Sequence, residues 1–242
     1  MELGQHISQR YNEELEDIRN KVLKMGGIVE SHSENAIKSL LTRDTALAKS
    51  VIGSDTIVDL MEVDIDDDCI QMIARRQPAA GDLRLVFAVG KVITDLERIG
   101  DEAGKIASYA KKLAKKKAVG GMHAELTHLS ELALQLLHDT LDAFARLDDQ
   151  QAVTIITQSA KINQEFNSLS RLLITHMMED TRNIKNVLRI TWCARSLERI
   201  ANYSVNISEH IVYLVKGKDI RHANIDDVLS EYFNDENHQL EL

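Results

Sequence analysis

Proline is almost missing from this chain: Pro78 is the only one in 242 residues. Glycines number 11 and aromatic residues make up 4 %. An all-β fold needs turn residues at every hairpin and aromatics along its strands, so this composition excludes it. The two cysteines, Cys69 and Cys193, both sit inside helical patterns, which suggests a reducing compartment rather than a disulfide framework. No uncharged apolar run approaches the ~20 residues of a membrane span. The start Met1-Glu2-Leu3-Gly4 lacks the basic-then-apolar order of a secretory signal. A cytoplasmic location without membrane insertion is therefore expected. The net charge of −9 repels nucleic acid and anionic lipid, so no nucleic-acid partner is expected. Also missing are His-Glu-x-x-His, a Walker loop, a dinucleotide fingerprint and Cys-x-x-Cys, and no catalytic residue is assigned.

What is present is helix. Ile7, Tyr11, Leu15, Ile18, Val22, Met25, Val29, Ala36 and Leu40 step by three and four along one face, with one gap. Gly26-Gly27 within this run would either kink the helix or let another backbone approach. Asp44 reads as the N-cap of a second helix carrying Val51, Val58, Ile65, Cys69 and Met72. The stretch Arg75 to Asp82, holding Pro78, reads as a turn with Asp82 capping a third helix, from about Leu83 to Lys117. Its lysine-rich end suits a helix C-terminus, and Gly120-Gly121 closes the first half. Helix four then carries Leu126 to Leu147, Asp148-Asp149 caps helix five, and helix six runs from about Ile184 to Val215 before Gly217. Met177-Met178 and Trp192 are expected in the core. The tail from Lys218 to Leu242 is polar and acidic, with room for a short helix near Asp226 to Tyr232, and is expected to be mobile.

The two halves repeat. Leu96-Glu97-Arg98-Ile99 recurs as Leu197-Glu198-Arg199-Ile200, and Ile106 matches Ile207. Val58-Asp59 matches Ile162-Asn163, and Cys69-Ile70 matches Leu173-Ile174. The fold class is all-α, with two copies of a three-helix unit at 1–119 and 122–217 and a polar tail at 218–242.

The stretch Ile73-Ala74-Arg75-Arg76-Gln77-Pro78-Ala79-Ala80-Gly81-Asp82-Leu83-Arg84, followed by Asp95-Leu96-Glu97-Arg98-Ile99-Gly100-Asp101, strongly resembles the bacterial PhoU family. So do Met25-Gly26-Gly27-Ile28-Val29-Glu30, Leu141 to Arg146 and His176 to Asp180. The resemblance implies two tandem, pseudo-symmetric three-helix bundles in a non-enzymatic, often dimeric protein. It implies negative regulation of the phosphate-starvation response and of phosphate uptake. The implied partners are the ATPase subunit of the phosphate ABC transporter, the phosphate sensor histidine kinase and a second copy of the chain.

The resemblance also implies a carboxylate motif on the third helix of each bundle, where some members hold iron or other divalent ions; no cofactor is expected to be required. Glu97 and Asp101 keep the motif one turn apart. The second copy is degraded: it offers Glu198 and the amide Asn202. On helix two, Asp59, Glu62 and Asp66 lie near one stripe and could complete a cation shell with Glu97 and Asp101, or form a solvated face. Alternatively, Glu97, Arg98 and Asp101 join salt bridges with Glu198 and Arg199 across the pseudo-twofold axis. Glu125-x-x-His128 has di-iron spacing but no second copy, so coincidence is the better account. Arg146, beside the Asp148-Asp149 turn, and the arginines of the Pro78 turn, Arg75, Arg76 and Arg84, are the candidate partner contacts.

Overall fold

The computed structural model describes residues 3–116, 123–221, 223–224, 227–230 and 232, with side chains from Tyr11 onward. Its long helices are α1 (Leu3–Thr42), α2 (Thr45–Arg76), α3 (Ala80–Leu113), α4 (His123–Arg146), α5 (Asp149–Glu179) and α6 (Ile184–Lys216), with a 3₁₀ turn at Thr181–Asn183. There is no strand among the described residues. The chain is two three-helix bundles, α1–α3 and α4–α6, joined by extensive α3–α6 packing and by α1 against α4.

Local chemistry sets several helix ends. The Asp44 carboxylate accepts from the Ala46 and Leu47 amides, at 2.8 and 3.0 Å, and so starts α2. Asp148 does the same for α5 through the Gln151 amide. Gly217 ends α6 in the left-handed region, at φ 71°. The Gly26-Gly27 pair does not interrupt α1. What Gly26 admits is a side chain rather than a backbone: a Cβ there would lie 2.7 Å from a Leu141 methyl of α4.

Four expectations need correction. Asp82 is not a cap, because α3 begins earlier, after an extended Ala79 with no side-chain cap. Asp82 lies within the first turn and accepts a 2.7 Å hydrogen bond from Tyr11 of α1. Met178 is 78 % exposed and Trp192 47 % exposed, so neither is core. Trp192 instead stacks on Tyr109 at 5.2 Å, and only Met177 packs on the core. The first part of the tail is not loose either: Ile220 and Val228 are buried and residues 227–230 are helical. An apolar residue in a polar tail still gains by docking on a nearby bundle end. Lys117, Gly120-Gly121 and residues 233–242 lie outside the described residues.

Candidate functional site

The carboxylates of α2 and α3 meet along one face. Glu97 is half-buried, and its carboxyl is pushed up by burial and then by the negative charges of Asp101, Glu62 and Asp59. Asp55 is raised in the same way, by burial and then by Asp101 and Asp59, with His32 and Lys105 opposing. Thr94 donates to Glu62 at 3.1 Å. Gly104 leaves room for Asp55, whose carboxylate lies 3.5 Å from where a Cβ would stand. The cluster is therefore Asp55, Asp59, Glu62, Glu97 and Asp101.

Asp66 is not part of it. It is exposed, and its charge acts on the Cys69 thiol rather than on Glu97. Because α2 and α3 are antiparallel neighbours, Asp101, one turn beyond Glu97, faces back toward Asp55. The acidic stripe of α2 that faces Glu97 and Asp101 therefore runs from Asp55 to Glu62, one turn earlier than the expected Asp59 to Asp66. The Asp55–Asp59 spacing of four was the signal for the true one. His32, whose Nε2 lies 3.0 Å from the Ser54 hydroxyl, brings an imidazole near the same end. The donors suit a hard cation. As the side chains stand, no group of three or more His, Cys, Asp or Glu among the described residues converges on one ion.

The second bundle keeps only the counterpart of Glu97, Glu198, and differs at the other equivalent positions. Aligning the two Leu-Glu-Arg-Ile copies sets Arg195 against Thr94 and Asn202 against Asp101. Aligning Val58-Asp59 with Ile162-Asn163 sets Ser159, Asn163 and Phe166 against Asp55, Asp59 and Glu62. Arg195 lies over the Phe166 ring at 5.5 Å. It also forms an ion pair with Glu198 at 2.7 Å, without hydrogen-bond alignment. Asn202 is exposed. The one remaining carboxylate thus has its own cation on the same helix.

The seam between α3 and α6 holds polar groups that the sequence reading missed. Glu102, 2 % exposed, accepts from Ser196 at 2.6 Å, Lys105 at 3.0 Å and Arg199 at 3.1 Å. Burial alone would raise its pKa, but these donors hold it below the ordinary glutamate value. Buried Asp95 meets Asn206 at 3.4 Å and the equally buried His210 at 3.5 Å. The expected cross-axis network is thus only partly formed. Arg199 crosses, but to Glu102. Arg98 pairs with Asp95 on its own helix and stacks on Tyr203. Glu97 joins neither, and Asp101 pairs with Lys105. Two acids seven residues apart on an apolar stripe, Asp95 and Glu102, were the available sign of a polar seam.

The candidate contact arginines gather at one end of the molecule. Arg76 is clamped by Glu14 of α1, at 2.9 and 2.7 Å. Arg84 is half-buried against Gly217, where a Cβ would lie 2.9 Å from its guanidinium. Arg75 is exposed on the rim of a groove of about 440 Å³ between α1 and α2. Arg146 is exposed and paired with Asp142. The α4–α5 turn reaches the same end, because Arg19 of α1 donates to the Ala145 carbonyl and Lys216 pairs with Asp149 at 3.3 Å. His128 faces Glu165 of α5 at 4.0 Å. Both cysteines are free and buried, and burial pushes the Cys69 thiol up to about 12. No helix among the described residues is long and apolar enough to cross a membrane.

Comparison with known proteins places this geometry. The PhoU domain model matches twice, over residues 22–110 and 126–211. The chain is 46 % identical over 229 residues to the phosphate-specific transport system accessory protein PhoU of Escherichia coli, covering 94 % of each chain. It is 47 % identical over 227 residues to that of Serratia marcescens, covering 93 % of each. The crystal structure of PhoU from Pseudomonas aeruginosa superposes with a TM-score of 0.84 at 41 % identity, over 86 % of this chain and 100 % of that one. The phosphate transport system regulatory protein PhoU from Streptococcus pneumoniae gives 0.80 at 28 % identity, over 86 % and 98 %. Two helical bundles, each carrying the same domain and together spanning nearly the whole of these relatives, mean that the chain belongs to the PhoU family.

Proposed function

We propose that this protein is a negative regulator of the phosphate-starvation response and of phosphate uptake. It acts in the cytoplasm, as a homodimer and without catalysis of its own, as an adaptor between the ATPase subunit of the phosphate ABC transporter and the phosphate sensor histidine kinase. The observation that carries this reading is the 46 % identity, over 94 % of both chains, to a phosphate-specific transport system accessory protein. The rigid helical faces suit docking, and Arg75 and Arg146 stand exposed at the end of the molecule where α2, α4 and α6 finish and α3 and α5 begin. Phosphate supply reaches the protein through the transporter's conformation, and the protein biases the kinase by binding its states unequally. Deleting the gene should raise phosphate-starvation gene expression in phosphate-rich medium; unchanged expression would sink the reading. Co-purification from membranes should recover the transporter ATPase and the kinase.

A second reading is favoured by the face shared by α2 and α3, where like charges are held together against their repulsion. A divalent or iron ion would relieve that repulsion, with Glu97, Asp101, Asp55, Asp59 and Glu62 as the donors. Glu198 and Asn202 are poor donors by comparison, because Arg195 already neutralises Glu198. Elemental analysis of untagged protein, before and after Glu97→Gln, tests it.

A further inference from the structure

Helix α2 turns to solvent a face that carries Leu60, Val63 and Ile70, which are 70 %, 60 % and 56 % exposed. Their spacing puts them on one stripe. Helices α1 and α3 pack on the other sides of α2. Single exposed apolar residues are ordinary on protein surfaces; three sharing one face are not.

The second bundle supplies an internal control. In the register that pairs Val58-Asp59 with Ile162-Asn163, Leu60 stands where α5 has Gln164, and Val63 where it has Asn167. Both amides are exposed. The three-helix unit folds with polar groups at these positions, so bundle packing does not call for Leu60 or Val63. Charge diverges at the same place. Asp59 and Asp66 flank the stripe and Asp67 stands within it, between Val63 and Ile70; none of the three forms an ion pair among the described residues, and Lys21 is engaged instead by Asp64 and Asp68. The aligned residues of α5 are Asn163, Ser170 and Arg171. At the third position the second bundle keeps an exposed isoleucine, Ile174 against Ile70, so what the first bundle has alone is Leu60 and Val63 among acidic neighbours.

Those acidic neighbours select the occupant. A second copy docking its own α2 here would bring aspartates against aspartates. An anionic membrane surface is repelled for the same reason. A segment with apolar side chains on one face and Lys or Arg on its flanks fits both features. From Leu60 to Ile70 the stripe rises about 15 Å along the helix axis, which matches two to three turns of a partner helix. We propose that this face of α2 docks a basic amphipathic helix of a protein partner. Its regulatory sense rests on the adaptor reading, but its chemistry is testable without either partner.

The probe is a synthetic helical peptide of leucine and lysine with one apolar and one cationic face; its control replaces lysine by glutamate. Binding to the full chain is read by fluorescence anisotropy. The lysine peptide should bind the wild type, and added salt should weaken it. Leu60→Gln with Val63→Asn, the residues the second bundle already uses, should weaken it tenfold or more while helicity is unchanged. Asp66→Asn with Asp67→Asn should weaken it severalfold, and the glutamate peptide should not bind. No binding to the wild type, or equal binding by wild type and Leu60→Gln/Val63→Asn, would overturn the proposal. Sedimentation of the same pair is the second check: a wild-type dimer dissociated by that double variant would make the stripe a self-association face and overturn it too. Deletion without derepression would instead strike the adaptor reading and leave the peptide result standing.

Discussion

Glu97 and Glu102 lie on the same helix in opposite electrical surroundings. Glu97 shares its face with Asp101, Glu62 and Asp59, and both burial and these charges push its carboxyl up. Glu102 receives Ser196, Lys105 and Arg199, which outweigh its burial and pull it down. The pH dependence therefore has opposite signs. A carboxyl raised in the folded state opposes folding above its folded pKa, and that opposition is relieved as pH falls through it. A carboxyl lowered in the folded state stabilises above its unfolded pKa, and that contribution is lost as pH falls through the folded value. Glu97→Gln should therefore raise stability at pH 7, by about 0.5 kcal/mol for relieved like-charge contacts on a half-exposed face. The variant should also lack the wild type's gain just above the ordinary glutamate range. Glu102→Gln should cost about 1–3 kcal/mol at pH 7, because a buried constellation of donors loses its acceptor charge. Its acid limb should be flatter than the wild type's. Urea midpoints between pH 7 and pH 3 would read both. Glu97 and Asp101 were legible in the sequence because one helical turn places them together. Glu102 was not, because its partners stand on α6 and no periodicity within α3 can place α6.

Turns show the same division between local and remote causes. Gly217 reads as a stop, and it is one: its φ is 71° and the Arg84 guanidinium fills the space a Cβ would need. Gly217→Ala should cost about 1–2 kcal/mol from the left-handed backbone alone. At the end of α2 the same left-handed role falls to Gln77, at φ 49°, and nothing in a glutamine announces it. Gln77→Gly should remove a strain of about 1–2 kcal/mol while adding about 0.5–1 kcal/mol of backbone entropy cost. The expected outcome is a gain of a few tenths to 1 kcal/mol, read as a higher urea midpoint at unchanged slope. A loss would mean that the Gln77 side chain holds the turn in some other way. Pro78 likewise marked this turn in the sequence but misplaced the cap. The geometry of Ala79 and Ala80, which no side chain encodes, lets α3 begin before Asp82.

At the scale of the whole molecule, duplication was readable from the Leu-Glu-Arg-Ile pair; how the copies meet was not. Glu102 against Arg199, Asp95 against Asn206 and Tyr109 against Trp192 show that α3 and α6 cross antiparallel. That arrangement turns the carboxylate faces of the two bundles into separate environments, free to diverge. One has five acids and the other has Glu198 neutralised by Arg195 over Phe166. Any cation uptake should accordingly follow the first face only. Titration with manganese(II) should give binding that Glu97→Gln with Asp101→Asn abolishes and Glu198→Gln leaves unchanged. Asn202→Asp alone should add nothing, because Arg195 still occupies the second face. Adding Arg195→Thr and Phe166→Glu to it, which copies Thr94 and Glu62 into that face, should create a second binding event. A second event from Asn202→Asp alone would show that the missing aspartate, rather than the intruding arginine, silences the second bundle.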